Sequence, residues 1–210
     1  PGQEQAAPVE ASTSARFGVV PSDQGKVRLL VSNPSDDRAE VRVDALGERG
    51  RFSVPDGTAS VEPGTTVMLD LSTPLEGQHV GLAIHSSVPI MSMIAIEGDK
   101  DVAWLTPGTS ATHLREAVPA GKLRVVNPGT AATTIRVKHS QTEEYTAEIP
   151  AGGVQDLDVK AGTIDIRSRG PVAAAVAAKG SGLAVIRLRP ESVQKAPRPV
   201  QLDPQLGQGG

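Results

Sequence analysis

The chain carries two closely similar segments about 96 residues apart, and this repetition constrains its fold more than any other feature of the sequence. Residues 25–34 read GKVRLLVSNP, and residues 121–128 read GKLRVVNP. Other pairs follow in the same order: AEVRV with TTIRV, VEPGTTVMLDL with IPAGGVQDLDV, AIHSSVPI with DIRSRGPV, and WLTP with RLRP. Matched segments in one order predict two structural units of the same kind, joined in tandem.

Each copy is built from short runs of β-branched and apolar residues that are broken by Gly, Pro, Asn and Asp. VRLLV, VMLDL and IMSMIAI are examples from the first copy, and LRVV, TIDI and AVIRL are examples from the second. This rhythm predicts an all-β protein of two tandem immunoglobulin-like β-sandwich domains. The alanine-rich run at 171–180 favours a helix by propensity alone, but its register with PIMSMIAIEG at 89–98 favours a strand.

The two copies set the predicted domain boundaries. We expect a flexible linker over residues 1–13, a first sandwich over 14–109, a second over 110–190 and a flexible tail over 191–210. The two ends are rich in Pro, Gln and Gly and poor in large apolar residues, which is typical of segments that cannot bury a core. An edge strand through Val200 and Leu202 is the alternative for the tail.

The second copy is shorter than the first by about 13 residues, and much of the difference falls within residues 44–60. A length difference confined to one connection predicts a loop there, because loops tolerate insertions. The Asn-Pro pairs at residues 33–34 and 127–128 are interpreted as turns, because Asn tolerates unusual backbone angles and Pro ends ladder pairing.

Composition disfavours several classes of function. Aromatic residues make up 2% of the chain and the net charge is −3, which suits neither base stacking nor counterion release from a duplex. There are no cysteines, so thiol nucleophiles and Cys-ligated zinc are excluded. The sequence holds no nucleophile elbow, P-loop or dinucleotide fingerprint. We therefore expect no enzyme, no cofactor and no nucleic-acid partner, although a hydrolase with an unmarked pair of acids is a further alternative.

We also expect no metal site. The histidines at 79, 85, 113 and 139 are scattered, and we interpret them as solvated surface residues, because a metal needs three or four convergent ligands. The run EGDKD at 97–101 alternates acidic residues as some calcium loops do, but its counterpart KGSGLA has no acid. A hairpin turn explains this run better.

The residues that the copies do not share are the best candidates for function. The four interaction candidates are Trp104, Phe52, Asp99 and Asp101. Alternation along WLTP predicts that Leu105 points inward and Trp104 outward, close to the junction at 106–111. The indole would then contact the second domain or a partner, or would lie over the edge of its own domain.

The second copy resembles an uncharacterised repeat family of exported actinobacterial cell-envelope proteins, in the motifs VVNPGT, IRV, IPAGGV, LDV and IRSRGPVAAAV. The first copy departs from this pattern at Ser35 and at EP in positions 62–63. The resemblance implies an extracytoplasmic, membrane-tethered protein that works beside envelope glycosyltransferases, and it brings no catalytic residues to carry over.

The function that we expect is a non-catalytic scaffold or recognition module of the bacterial cell envelope. It would bind a protein partner, such as a glycosyltransferase, or a wall glycan through sheet edges and loops. It would meet the membrane only through a tether outside this chain. The alternative is glycan or small-molecule binding in a cleft between the two domains, which predicts a deep apolar pocket near Trp104.

Overall fold

The computed structural model describes residues 9–21, 25–76, 79–98, 101–139, 143–178 and 184–191, and within them the protein is all-β, as predicted. The N-terminal half contains strands β1 Ser12–Pro21, β2 Lys26–Ser32, β3 Ala39–Gly47, β4 Gly50–Val61, β5 Thr66–Asp70, β6 His79–Glu97 and β7 Val102–Leu105, with a single helical turn, α1 Ser72–Leu75, before β6. The C-terminal half contains β8 Ala111–Val118, β9 Gly121–Val126, β10 Thr133–His139, β11 Glu143–Ile149, β12 Val154–Val159, β13 Gly162–Ala178, β14 Val185–Arg187 and β15 Arg189–Pro190.

One long strand organises each half by changing its partners midway. The first part of β6 pairs with β1 and β3, and its last part pairs with β2 and β7. The first part of β13 pairs with β8 and β10, and its last part pairs with β9 and β14. The change falls near Pro89 in β6 and near Pro171 in β13. A proline has no N–H to give to a ladder, so pairing breaks there.

Each half has its own hydrophobic core. Side chains from both parts of β6, such as Ile84 and Ile94, belong to the core of the N-terminal half. Ile166 and Val176 play the same part for β13 in the C-terminal half. The alanine-rich run lies in β13 and is a strand, because its alternate residues face this core.

The two Asn-Pro turns are confirmed as structural. Each asparagine is buried. The side-chain amide of Asn33 donates to the carbonyl oxygens of Asp37 (2.8 Å) and Val61 (2.9 Å), and its own oxygen accepts from the backbone N–H of Ser35. Asn127 makes the matching bonds to Ala131 (2.8 Å) and Ile149 (3.1 Å) and accepts from Gly129. The same residue therefore closes the same turn in each half.

The loop expected over residues 44–60 was wrong. Residues 44–60 are not a loop, because they form the end of β3 and most of β4, paired from Asp44–Ser53 to Gly47–Gly50. The insertion therefore lengthens a hairpin. Strand β1 begins at Ser12, two residues inside the linker expected over 1–13, and the rest of that linker stays a prediction.

The lengthened hairpin and β1 contact the C-terminal half. Leu46 and Ala83 form a small buried cluster with Val126 and Val154. Strand β1 lies against β9 and β13, so closely that a Cβ atom added at Gly18 would lie 3.1 Å from the Cβ of Ala173. Apolar packing of this kind holds the two halves in one arrangement.

The junction between the halves is tied by Arg187. Its Nη1 donates to the carbonyl oxygens of Thr106 (2.6 Å) and Pro107 (2.9 Å), and burial lowers the pKa of its guanidinium, helped by the nearby charge of Arg189. The proposed domain limits at 109 and 190 stay predictions. Among the described residues there is no helix with the length and apolar character to cross a membrane.

Candidate functional site

The outer surface of β5, β2, the end of β6 and β7 carries most of the exposed large apolar side chains of the described residues. Strand alternation turns Val67, Leu29 and Ile94 inward to the core and turns the residues between them outward. Hydrogen-bond register then places Met68, Leu30 and Met93 side by side in one row. The next row contains Ala95 beside Trp104. We call the outward residues Leu30, Met68, Met91, Met93, Val102 and Trp104 the methionine face.

The methionine face concentrates exposed apolar area. It holds all three methionines and the only tryptophan of the chain. In the described part of the chain, five large hydrophobic side chains are exposed, and four of them lie here. Met68 is 57% exposed and Trp104 is 40% exposed. A contiguous apolar patch of this kind marks an interaction surface more often than scattered apolar residues do.

Charged residues of both signs flank the methionine face. Arg28 and Glu97 form an ion pair of 3.0 Å beside Trp104 and Val102. Asp70 lies at the other edge of the same row. Hydrogen bonds from the side chain and backbone of Ser72 lower the pKa of Asp70, and Arg28 and Lys26 add to this effect. The face therefore has an apolar centre and a mixed-charge border.

The corresponding surface of the C-terminal half is covered. The backbone N–H of Asn33 bonds to the oxygen of Thr65 as that of Asn127 bonds to Gly153, each at 2.9 Å. This match makes Met68 equivalent to Asp156, and strand pairing then makes Leu30 equivalent to Arg124 and Met93 equivalent to Ala175.

The N-terminal half supplies the cover of this second surface. Val126 and Ala173 belong to it, and they are buried against Leu46, Ala83 and the strand that contains Gly18. Arg124, one row further, is only 3% exposed. Its guanidinium binds both carboxylate oxygens of Asp156, at 2.7 and 2.6 Å, which satisfies a charge that would otherwise be costly to bury. One sheet face is thus internal in one half and open in the other.

The structure separates the four interaction candidates. Trp104 points outward and Leu105 inward, as alternation predicts. Asp101 closes the turn before β7, where its backbone oxygen accepts from Gly98 and its side chain accepts from the N–H of Val102, each at 2.9 Å. Asp99 lies outside the described residues. Phe52 packs against the core of its own half and covers Gly47 across the hairpin, so its ring serves the fold.

The match of WLTP with RLRP needs correction. Leu105 pairs with Ile94 and Ile186 pairs with Val176, and Ile94 is equivalent to Val176 when the two long strands are counted from Pro89 and Pro171. Trp104 is therefore equivalent to Val185, two positions from the residue that the sequence match gave. The sequence interpretation also missed the three methionines, although their outward parity in each strand could have identified them.

A cleft lies at the junction of the halves. Its volume is about 510 Å³, and its lining includes Gly18, Glu116, Ala174, Arg187 and Arg189. Arg187 is occupied by backbone oxygens of the junction, and Arg189 pairs with Glu116 at 3.5 Å. None of the described lining residues is aromatic, and Trp104 is not among them. The cleft is therefore not a pocket at Trp104 of the kind that the alternative predicted, and ligand binding between the domains stays a prediction.

His113 and His85 do not stand free in solvent as expected. His113 lies between the carboxylates of Asp165 (3.0 Å) and Glu191 (2.7 Å). His85 lies 4.0 Å from the buried carboxylate of Asp44. Within the described ranges, no group of three or more possible ligands is placed to hold a metal ion.

Comparison with known proteins gives one family. The model of a family described as "Family of unknown function (DUF5719)" matches residues 2–166. The match runs through the junction and ends at Ile166 within β13. Neither a curated protein nor a solved structure matches the chain.

Proposed function

The chain belongs to the DUF5719 family of unknown function, and we propose that it is a non-catalytic recognition module that binds a partner protein through the methionine face. The observation that carries this proposal is that two equivalent sheet faces, one in each half, differ in their burial. The sheet face that the C-terminal half buries against its neighbour is left open, and made apolar, in the N-terminal half.

The chemistry of the methionine face favours a protein partner. Met and Trp are enriched at the centres of protein interfaces, whereas charged residues are depleted there. Methionine side chains are flexible and polarizable, so they adapt to a partner's shape. Trp104 offers the kind of large, partly exposed anchor that often dominates binding energy. A wall glycan would instead need stacked rings and convergent hydrogen-bond groups, and Trp104 is the only aromatic residue of this face.

The architecture and location belong to the same proposal. We propose that each half is an immunoglobulin-like sandwich, supported by the two parts of β6 and of β13 that share one core in each half. The cell envelope, on the outer side of the membrane, remains the proposed place of action on the strength of the sequence resemblance alone.

Site-specific photo-crosslinking in the cells that make the protein tests this function. A benzophenone amino acid at Met68 should give adducts with protein, whereas the same group at Tyr145, which is also 40% exposed, should give few. Equal adduct yields at the two positions, or none at Met68, would contradict the proposal. Adducts with glycan and not with protein would contradict the proposed protein partner and would identify a glycan as the ligand of this face.

A further inference from the structure

We propose that the partner of the methionine face is a second copy of this chain, docked face to face about a two-fold axis. The inference rests on the proposed function and specifies its partner. In such an isologous interface both copies use the same patch, so the patch must be complementary to itself. The methionine face meets this condition in its distribution of charge.

The charge distribution supports self-association. Lys26 and Arg28 lie on β2, while Asp70 lies on the neighbouring β5 and Glu97 on the end of β6. The border of the face therefore carries two cations and two anions, so a copy rotated onto it brings no field of a single sign against itself. The central row, Met68–Leu30–Met93, is uncharged and would form the dry centre of the contact.

A head-to-tail arrangement is disfavoured by residues of the C-terminal half. Within one chain, Ala83 and the tip of the β3–β4 hairpin cover the equivalent face of the C-terminal half. Because they are buried in that contact, they are not free to cover the methionine face of another chain. The position equivalent to Ala83 in β13 is Asp165, which engages His113 and Arg167. A second chain therefore cannot present this apolar cover with its C-terminal half, and its own methionine face remains as the matching surface.

The size of the face sets the expected strength. Two sheets pack face to face about 10 Å apart, and four strands about 4.8 Å apart give a patch of only a few hundred Å² on each copy. Stable complexes usually bury about 800 Å² on each partner. The dimer should therefore be reversible, with a dissociation constant of about 1–100 µM.

Sedimentation equilibrium of the full chain tests the association. The mass of the wild type should rise with concentration from that of one chain, 21.7 kDa, towards twice that value. Met68→Glu should remain monomeric at every concentration, while Tyr145→Glu should follow the wild type. A wild type that stays monomeric at millimolar concentration would overturn the proposal, and so would a Met68→Glu variant that associates equally or a mass that grows beyond two chains.

A single introduced thiol tests the geometry, because the chain has no cysteine. Leu30 lies at the centre of the face, so a short bismaleimide should join two copies of Leu30→Cys and should leave Tyr145→Cys as single chains. Failure to join Leu30→Cys under conditions where the mass doubles would overturn the two-fold arrangement. If the chain stays monomeric while Met68 still crosslinks to a different protein in cells, only the self-partner fails and the recognition function stands.

Discussion

The guanidinium of Arg51 donates a hydrogen bond of 3.3 Å to the carbonyl oxygen of Pro128, 77 residues further along the chain. Arg51 lies near the tip of the β3–β4 hairpin, and Pro128 lies in the Asn-Pro turn of the C-terminal half. The hairpin that the insertion lengthens is therefore one of the elements that hold the two halves together. The hairpin is longer in the first copy than in the second, and this is one reason why only one of the two equivalent sheet faces is covered.

Two glycines in equivalent turns provide a matched test of this hairpin contact. Gly64 and Gly152 both have left-handed backbones, with φ of 67° and 64°. A Cβ at Gly64 would meet nothing within 4 Å, whereas one at Gly152 would lie 2.8 Å from the Cβ of Arg51. We expect Gly64→Ala to cost about 1 kcal/mol of unfolding free energy through backbone strain. Gly152→Ala should cost about 1 kcal/mol or more beyond that, because the hairpin must shift.

Urea unfolding followed by circular dichroism measures both losses. The Gly64→Ala variant is the control, since it carries the same strain without the contact. Equal losses in the two variants would show that the hairpin contributes nothing to stability at Gly152.

The buried amide of Asn127 is the second test. Its Nδ2 donates to the oxygens of Ala131, Ile149 and Pro150 at 2.8–3.1 Å, and Asn127→Ala leaves these buried acceptors unpaired. We expect a loss of about 2–4 kcal/mol, because unsatisfied buried groups cost more than a hydrogen bond contributes. Asn127→Asp should be no better, since a carboxylate would face carbonyl oxygens. Thr130 is exposed on the same turn, so Thr130→Ala should leave the unfolding free energy from chemical denaturation almost unchanged. A loss comparable to that of Asn127→Ala would contradict the role of the amide.

Arg187 should matter more than its neighbour Arg189. Arg187→Gln removes two charge-assisted bonds to the junction, for which we expect a loss of about 1.5–3 kcal/mol. Arg189 is 84% exposed and pairs with Glu116 at the surface, so Arg189→Gln should cost less than about 1 kcal/mol. Thermal unfolding of the two variants makes the comparison. Similar shifts in melting temperature would mean that the junction is not held by Arg187.

His85 should make stability depend on pH. Burial of the imidazole lowers the pKa of His85 below the ordinary value of 6.5, and the charges of Arg51, Arg42 and Arg16 lower it further. The charge of Asp44 raises this pKa and offsets part of the shift. Since the unfolded chain takes up the proton first, stability should be complete above about pH 6.5 and should fall as the pH drops below it. Thermal melts across this range should show a steeper loss for the wild type than for His85→Gln. Parallel pH profiles would contradict the prediction.

Local features of the fold could be predicted from the sequence, because they depend on neighbouring residues. The Asn-Pro turns and the alternation that turns Trp104 outward are of this kind. The strand structure of residues 44–60 could not be predicted, because here a strand and a loop differ only in the residues that they contact. The packing of Phe52 against Gly47 could not be predicted for the same reason, since the sequence does not show which side of the hairpin its ring covers.

The methionine face illustrates the limit more sharply. Leu30 and Met93 have the hydrophobicity of core residues, and periodicity assigns them to the outer side of their strands. Only the three-dimensional arrangement shows that the equivalent surface packs through Val126 and Ala173 against the other half, while Leu30 and Met93 stay partly exposed. Exposure depends on contacts between the halves, which a single sequence does not specify.

Oxidation of the methionines in living cells tests the methionine face most directly. Met68, Met91 and Met93 all lie on it, and peroxide converts accessible thioethers to sulfoxides that mass spectrometry can count. A Tyr145→Met variant adds a reference methionine on the C-terminal half. In dilute purified protein, Met68 should oxidise about as fast as the reference, since both positions are exposed. In cells, the account predicts that Met68 is protected several-fold relative to the methionine at position 145; an unchanged ratio between the two would contradict it.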